Sequence, residues 1–127
     1  MVAGHRFSCA ELEAALKTHH AVAGVAVVGV PDAHKGEVLW AFVEPDPEIM
    51  ASDVLGAELK GFMRREIGEA AVPTHVIFGP LPKTPSGEVV RPVLRRIAET
   101  GDPGDVMGLA DRAVAAYLAT QRADALS

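Results

Sequence analysis

The chain has 127 residues, enough for one domain with a real core, and at 49% hydrophobic and 23% charged it has globular rather than disordered composition. A net charge of −5 argues against a nucleic-acid partner, which needs a basic face, and the lone Cys9 excludes an intramolecular disulfide and fits a reducing cytosol. No apolar run approaches the ~20 residues of a membrane span, no zinc-ligand spacing occurs, and the first residues lack signal-peptide order, so a cytoplasmic protein with no membrane contact is expected.

Ser8-Cys9-Ala10-Glu11 has the form of a capping box, and Cys9, Leu12 and Leu16 follow at helical spacing. A first helix is therefore expected over 8–18, with Cys9 as a small core residue rather than a nucleophile. His19 and His20 fall at its end, where cations suit the helix dipole. The valine-rich run 22–30 reads as a buried strand, closed by Gly29, Pro31 and Asp32. Residues 38–43 form a second strand, apolar on both faces and so central. The loop between them is short enough for an antiparallel turn, with His34 and Lys35 as solvated loop residues. Pro45-Asp46-Pro47 stops the second strand.

Ser52 caps a longer helix with Leu55, Leu59, Phe62 and Met63 on one face and Gly68 past its end. Arg64 and Arg65 lie in its last turn, again a favourable place for positive charge. Residues 74–78 make a short third strand. Residues 89–99 read as a helix, with Pro92 tolerable only in the first turn. A turn-rich link over 101–105 leads to a last helix capped by Asp111, with Val114, Tyr117 and Leu118 as its stripe and a frayed end. The order α-β-β-α-β-α-α with short connections specifies an α+β single domain, a small sheet packed by helices.

Between the third strand and the following helix lies Pro82-Lys83-Thr84-Pro85-Ser86-Gly87-Glu88. Two prolines fix φ, Gly87 opens conformations closed to other residues, and Thr84 and Ser86 can bond their own backbone. Such a loop aims whatever leaves it, and that residue is Glu88.

Several segments, in order, resemble the C-terminal lid domain of AMP-forming acyl-CoA synthetases, within the adenylate-forming superfamily. They are Gly4-His5-Arg6 with Ser8 to Glu13, Val25 to Asp32, Lys35-Gly36-Glu37 before Ala41-Phe42-Val43, Arg64 to Gly68, and Leu81 to Gly87. Their spacing is most similar to the acetyl-CoA synthetase branch, whose tail Gly108-Leu109-Ala110-Asp111 also resembles. The resemblance covers nearly all of residues 1–127. It implies a three-stranded, mainly antiparallel sheet packed by helices, with 1–100 as the body of the lid and 101–127 as link and terminal helix.

The resemblance also implies a two-domain machine. A large N-terminal domain holds ATP and the carboxylate substrate, and the lid rotates between a pose for making acyl-adenylate and one for thioester formation with CoA. That large domain has no counterpart in these residues, so a separate one is the expected partner. CoA and ATP or AMP are the implied cofactors, with Mg through that partner. Gly4 matches a glycine along the pantetheine tunnel, Arg6 an arginine on nucleotide phosphate, and Arg64 an arginine on the nucleotide end of CoA. Backbone carbonyls at Lys17, His19 and Val22 match a cation site that leaves no side-chain trace.

Glu88 departs from the pattern. The family has lysine there, bridging the carboxylate and the α-phosphate during adenylation, and glutamate reverses that charge. The lysine that acyltransferases modify in this family is lost with it. Glu88 also reads as an anion capping the following helix, and both readings stand together. Three roles remain open at this point: a lid working in trans, a catalytically dead docking module, or a degenerate piece. Isolated catalysis is excluded by the need for two domains, and no Ser/His/Asp or Cys/His arrangement offers other chemistry.

Overall fold

A computed structural model describes residues 8–32, 34 and 36–126. The elements are α1 (Cys9–Lys17), β1 (Val22–Asp32), β2 (Gly36–Pro45), α2 (Asp53–Glu66), a 3-10 turn (Glu69–Ala71), β3 (His75–Phe78), α3 (Arg91–Thr100) and α4 (Ala113–Leu126). Their order is the expected one. Ser8 caps α1 by accepting from the Glu11 N–H at 3.1 Å, and Ser52 caps α2 through the Leu55 N–H at 3.2 Å. Asp111 accepts from the Ala113 N–H at 3.0 Å at the start of α4. Pro92 falls in the first turn of α3, where its missing N–H costs nothing.

The sheet has the order β1-β2-β3, with β2 central. β1 and β2 pair antiparallel from Val22↔Pro45 to Asp32↔Gly36, whereas β3 joins β2 in parallel, Trp40↔His75 to Val43↔Phe78. The longer ladder is thus antiparallel and the shorter one parallel. The geometry follows from the connections, since three residues link β1 to β2 and a crossover through α2 links β2 to β3.

Strand alternation divides the interior into two layers. Ala26, Val28, Trp40, Phe42 and Ile77 pack with Leu94, Ile97 and Leu118 of α3 and α4. Val27, Leu39, Ala41 and Val43 pack with Leu12, Leu16, Leu59 and Met63 of α1 and α2. Burial on both sides explains the unbroken apolar run of β2. The segment after α3 contributes Leu109, Ala115 and Leu118 to the first layer.

Two local readings need correction. The stripe of α4 is carried by Ala115 and Leu118, while Tyr117 stays 48% exposed because the Leu118 side faces the sheet. The helix continues to Leu126, past the residues expected to fray. His19 does more than follow the end of α1. Its side chain is 8% exposed, its Nδ1 accepts from the Ala21 N–H, and its Nε2 meets Glu58 at 2.9 Å. Phe62 packs edge-on against the ring.

At the middle of the outer edge of β1, side chains engage the backbone of Val27. The Val27 N–H donates to Glu13 Oε2 at 2.8 Å, and its carbonyl lies 3.5 Å from Arg91 Nη1. Arg91 in turn grips both Glu13 oxygens in a fork. One ion pair therefore ties α1, β1 and α3, and it is the first cause of the raised pKa of the Arg91 guanidinium.

Candidate functional site

The chain leaves β3 and buries Leu81 and Pro82. A hairpin-like loop follows, closed by an antiparallel bridge between Lys83 and Val89. The Thr84 N–H donates to the Glu88 carbonyl at 2.9 Å, and the Gly87 N–H returns to the Thr84 carbonyl at 2.9 Å. Thr84 Oγ1 accepts from the Glu88 N–H at 3.2 Å and lies 3.0 Å from Ser86 Oγ. Gly87 sits at φ +94°, a left-handed conformation that strains any residue with a Cβ. Two anchors hold the base: the Val90 N–H on the Pro82 carbonyl, and the Ala110 N–H on the Lys83 carbonyl at 2.8 Å. The loop is thus fixed by its own backbone and by the link ahead of α4.

The residue this scaffold delivers, Glu88, is exposed. It makes no ion pair with any described residue. Nor does it cap α3, because the N-cap is Val90 and no side chain bonds the helix start. That alternative reading of Glu88 is set aside, and its charge faces outward. Lys83 does not take its place, since its ammonium turns back to Glu44 of β2 at 3.4 Å.

Arg64 lies in the last turn of α2, in the layer opposite α3. Its Nε bonds Glu69, and its side chain is 52% exposed. Its terminal nitrogens make no hydrogen bond to a described residue. The structure does not bring Arg64 and Glu88 into one cleft. Gly4 and Arg6 lie outside the described residues. Of the carbonyls at Lys17, His19 and Val22, that of His19 accepts from the Val22 N–H at 3.1 Å. Among the described residues no group of three His, Cys, Asp or Glu is placed to hold a metal.

Two titratable groups elsewhere have shifted pKa values. The Cys9 thiol is pushed up by burial and then by the Glu13 carboxylate, which keeps it protonated and unreactive. His75 is pushed down by burial, then by Lys60 and Arg122, and its ring lies tilted by 43° against Trp40 with centroids 4.3 Å apart. The Glu13–Arg91 fork and the Lys83–Glu44 pair were not anticipated. They span 78 and 39 positions in sequence, and no local pattern marks such partners.

Residues 11–88 match the family model of the AMP-binding enzyme C-terminal domain, whose last matched position is Glu88. The acetyl-coenzyme A synthetase of Syntrophus aciditrophicus is 46% identical over 116 residues, covering 89% of this chain and 18% of that protein. The acetyl-coenzyme A synthetase of Pyrobaculum aerophilum is 50% identical over 111 residues, covering 87% and 17%. The crystal structure of a Brucella canis acyl-CoA synthetase superposes with a TM-score of 0.70 at 38% identity, over 75% of this chain and 18% of the other. The chain thus spans less than a fifth of the length of these relatives. With the mixed sheet, the two helical layers and the loop ending at Glu88 all in agreement, the chain belongs to the C-terminal domains of AMP-forming, acetyl-CoA synthetase-like enzymes.

Proposed function

We propose that this domain is the rotating lid of an AMP-forming acyl-CoA ligase, inactive alone, which completes a site on a large ATP- and acyl-binding domain in the cytoplasm. In this reading it supports thioester formation with CoA but not adenylation. The observation that carries it is the loop from Lys83 to Val89, which presents residue 88 to solvent with no ion partner among the described residues. The charge at that position is therefore what a facing domain meets. At ~4 Å and an effective dielectric of 20, one unit-charge pair is worth about 4 kcal/mol. Exchanging attraction for repulsion between two anions costs adenylation several kcal/mol, and each ~1.4 kcal/mol is tenfold in rate.

Arg64 and Glu88 on opposite layers suit a lid that offers a different face in each half-reaction. Arg64, with Gly4 and Arg6, would hold CoA and nucleotide phosphates. A second reading, a docking module without turnover, is favoured by the sign of Glu88 itself. The test mixes the domain with a lidless large domain of an acetyl-CoA synthetase and assays each half-reaction. Thioester formation from supplied acetyl-adenylate supports the lid, whereas tight binding without turnover supports the docking module. A Glu88→Lys variant is expected to gain adenylation in that mixture by at least about a hundredfold. No gain refutes the electrostatic account of the loop.

A further inference from the structure

The two edges of the sheet are treated differently. On β1 the outward groups of Val27 are occupied by Glu13 and Arg91. On β3 the phase of the ladder is set by the Gly79 N–H, which donates to the Val43 carbonyl at 3.0 Å beside the pair Val43↔Phe78. In a parallel ladder alternate residues turn both backbone groups to the neighbour. His75, Ile77 and Gly79 therefore face β2, and Val76 and Phe78 turn N–H and C=O away from it. Those four groups have no hydrogen-bond partner among the described residues.

They open into a cleft of about 410 Å³ along β3, walled by α2 and α4. The walls carry small residues, Gly56 and Ala57 on one side and Ala125 on the other, which leave room for a backbone. Each wall also carries an aspartate, Asp53 on α2 and Asp124 on α4, and neither has an ion pair among the described residues. The cationic wall residue Lys60 is engaged, donating to the Thr74 carbonyl at 3.0 Å. Arg122 is turned to the inner layer, toward the Ala98 carbonyl and the Trp40 ring.

An open strand edge between two helices is a template for strand addition. We propose that this groove takes an extended, lysine- or arginine-bearing segment of a partner protein as a fourth strand on β3. Main-chain bonds to Val76 and Phe78 hold it, and the side chains of two adjacent residues, which point to opposite faces of the strand, reach Asp53 on one wall and Asp124 on the other. A second copy of this chain is a poorer fit. Its own β3 lies at the floor of the same groove, so two such edges do not reach the ~4.8 Å spacing of paired strands.

The probe is a short capped peptide with two adjacent lysines flanked by valines, titrated into the full chain and followed by backbone NMR and hydrogen exchange. The amides of Val76 and Phe78 are expected to shift and gain protection. The same peptide N-methylated at alternate amides, or with glutamates for lysines, is expected to bind at least about tenfold more weakly. Val76→Pro removes an N–H that the ladder does not use, a change tolerated on an edge, and is expected to abolish binding. Exposed Asp124→Lys, which asks nothing of the fold, is expected to weaken it several-fold. Binding that leaves the two amides unmoved, equal affinity for the N-methylated peptide, or no binding at all overturns the proposal. Protection of the same amides in the chain alone as its concentration rises overturns the choice of occupant in favour of a second copy.

Discussion

Glu13→Ala removes the centre of the knot that joins α1, β1 and α3. The Glu13 side chain is 14% exposed and receives the Val27 N–H and both terminal nitrogens of Arg91, whose side chain is 46% exposed. Hydrogen bonds to charged groups contribute ~1.5–3 kcal/mol when covered, and solvent around Arg91 reduces its share toward the ~0.5–1 kcal/mol of a surface pair. The Val27 N–H, on an edge, can turn to water. The expected loss is about 2 kcal/mol. With an unfolding entropy of ~2.1 cal/mol/K per residue, that lowers Tm by about 7 °C for a domain of this size. Urea titrations of the wild type, Glu13→Ala, Arg91→Ala and the double variant are expected to give a coupling energy of about 1–2 kcal/mol. A coupling below ~0.3 kcal/mol, within the range of independent sites, refutes the claim that the pair acts as one unit.

Gly79→Ala places a Cβ 2.7 Å from Tyr117 Cε2 and 2.9 Å from Leu118 Cδ2. Tyr117 is exposed enough to swing aside but Leu118 is fully buried, so a loss of ~1–3 kcal/mol in urea unfolding is expected, and an unchanged midpoint refutes the close docking of α4. His75 is held below its unfolded pKa of ~6.5 by burial and by its cationic neighbours, so unfolding takes up a proton there. Its contribution is complete above ~6.5 and is lost as pH falls below that value toward the folded pKa. His75→Gln is therefore expected to flatten the acid limb of stability against pH, and parallel curves for the two proteins refute the assignment.

The fold was legible because each element carries a local signal. Ser8, Ser52 and Asp111 cap helices as residues of their type do, and the doubly buried β2 announces itself in its unbroken apolar run. The parallel pairing of β3 follows only once α2 is understood as a crossover. What stayed hidden depends on contact rather than pattern. Tyr117 and Leu118 are adjacent apolar residues, yet only packing against the sheet decides which of them is covered. His19 read as a residue at a helix end, and Glu58 and Phe62 of α2, distant in sequence, make it an interior partner. At the candidate site the sequence marked the loop that ends at Glu88. It held no trace that Val90, not Glu88, would begin α3, or that Lys83 would be tied to Glu44.

The left-handed turn at Gly87 has a consequence of its own. A Cβ built there meets nothing within 4 Å, so the position has no shortage of space. What it excludes is handedness. A D-alanine would sit in the same backbone conformation without strain and would narrow the unfolded chain, whereas an L-residue of identical volume must rotate the peptide that carries residue 88. The direction in which this domain aims residue 88 thus depends on the chirality permitted at Gly87 as well as on the backbone bonds of the loop, not on any side-chain contact there.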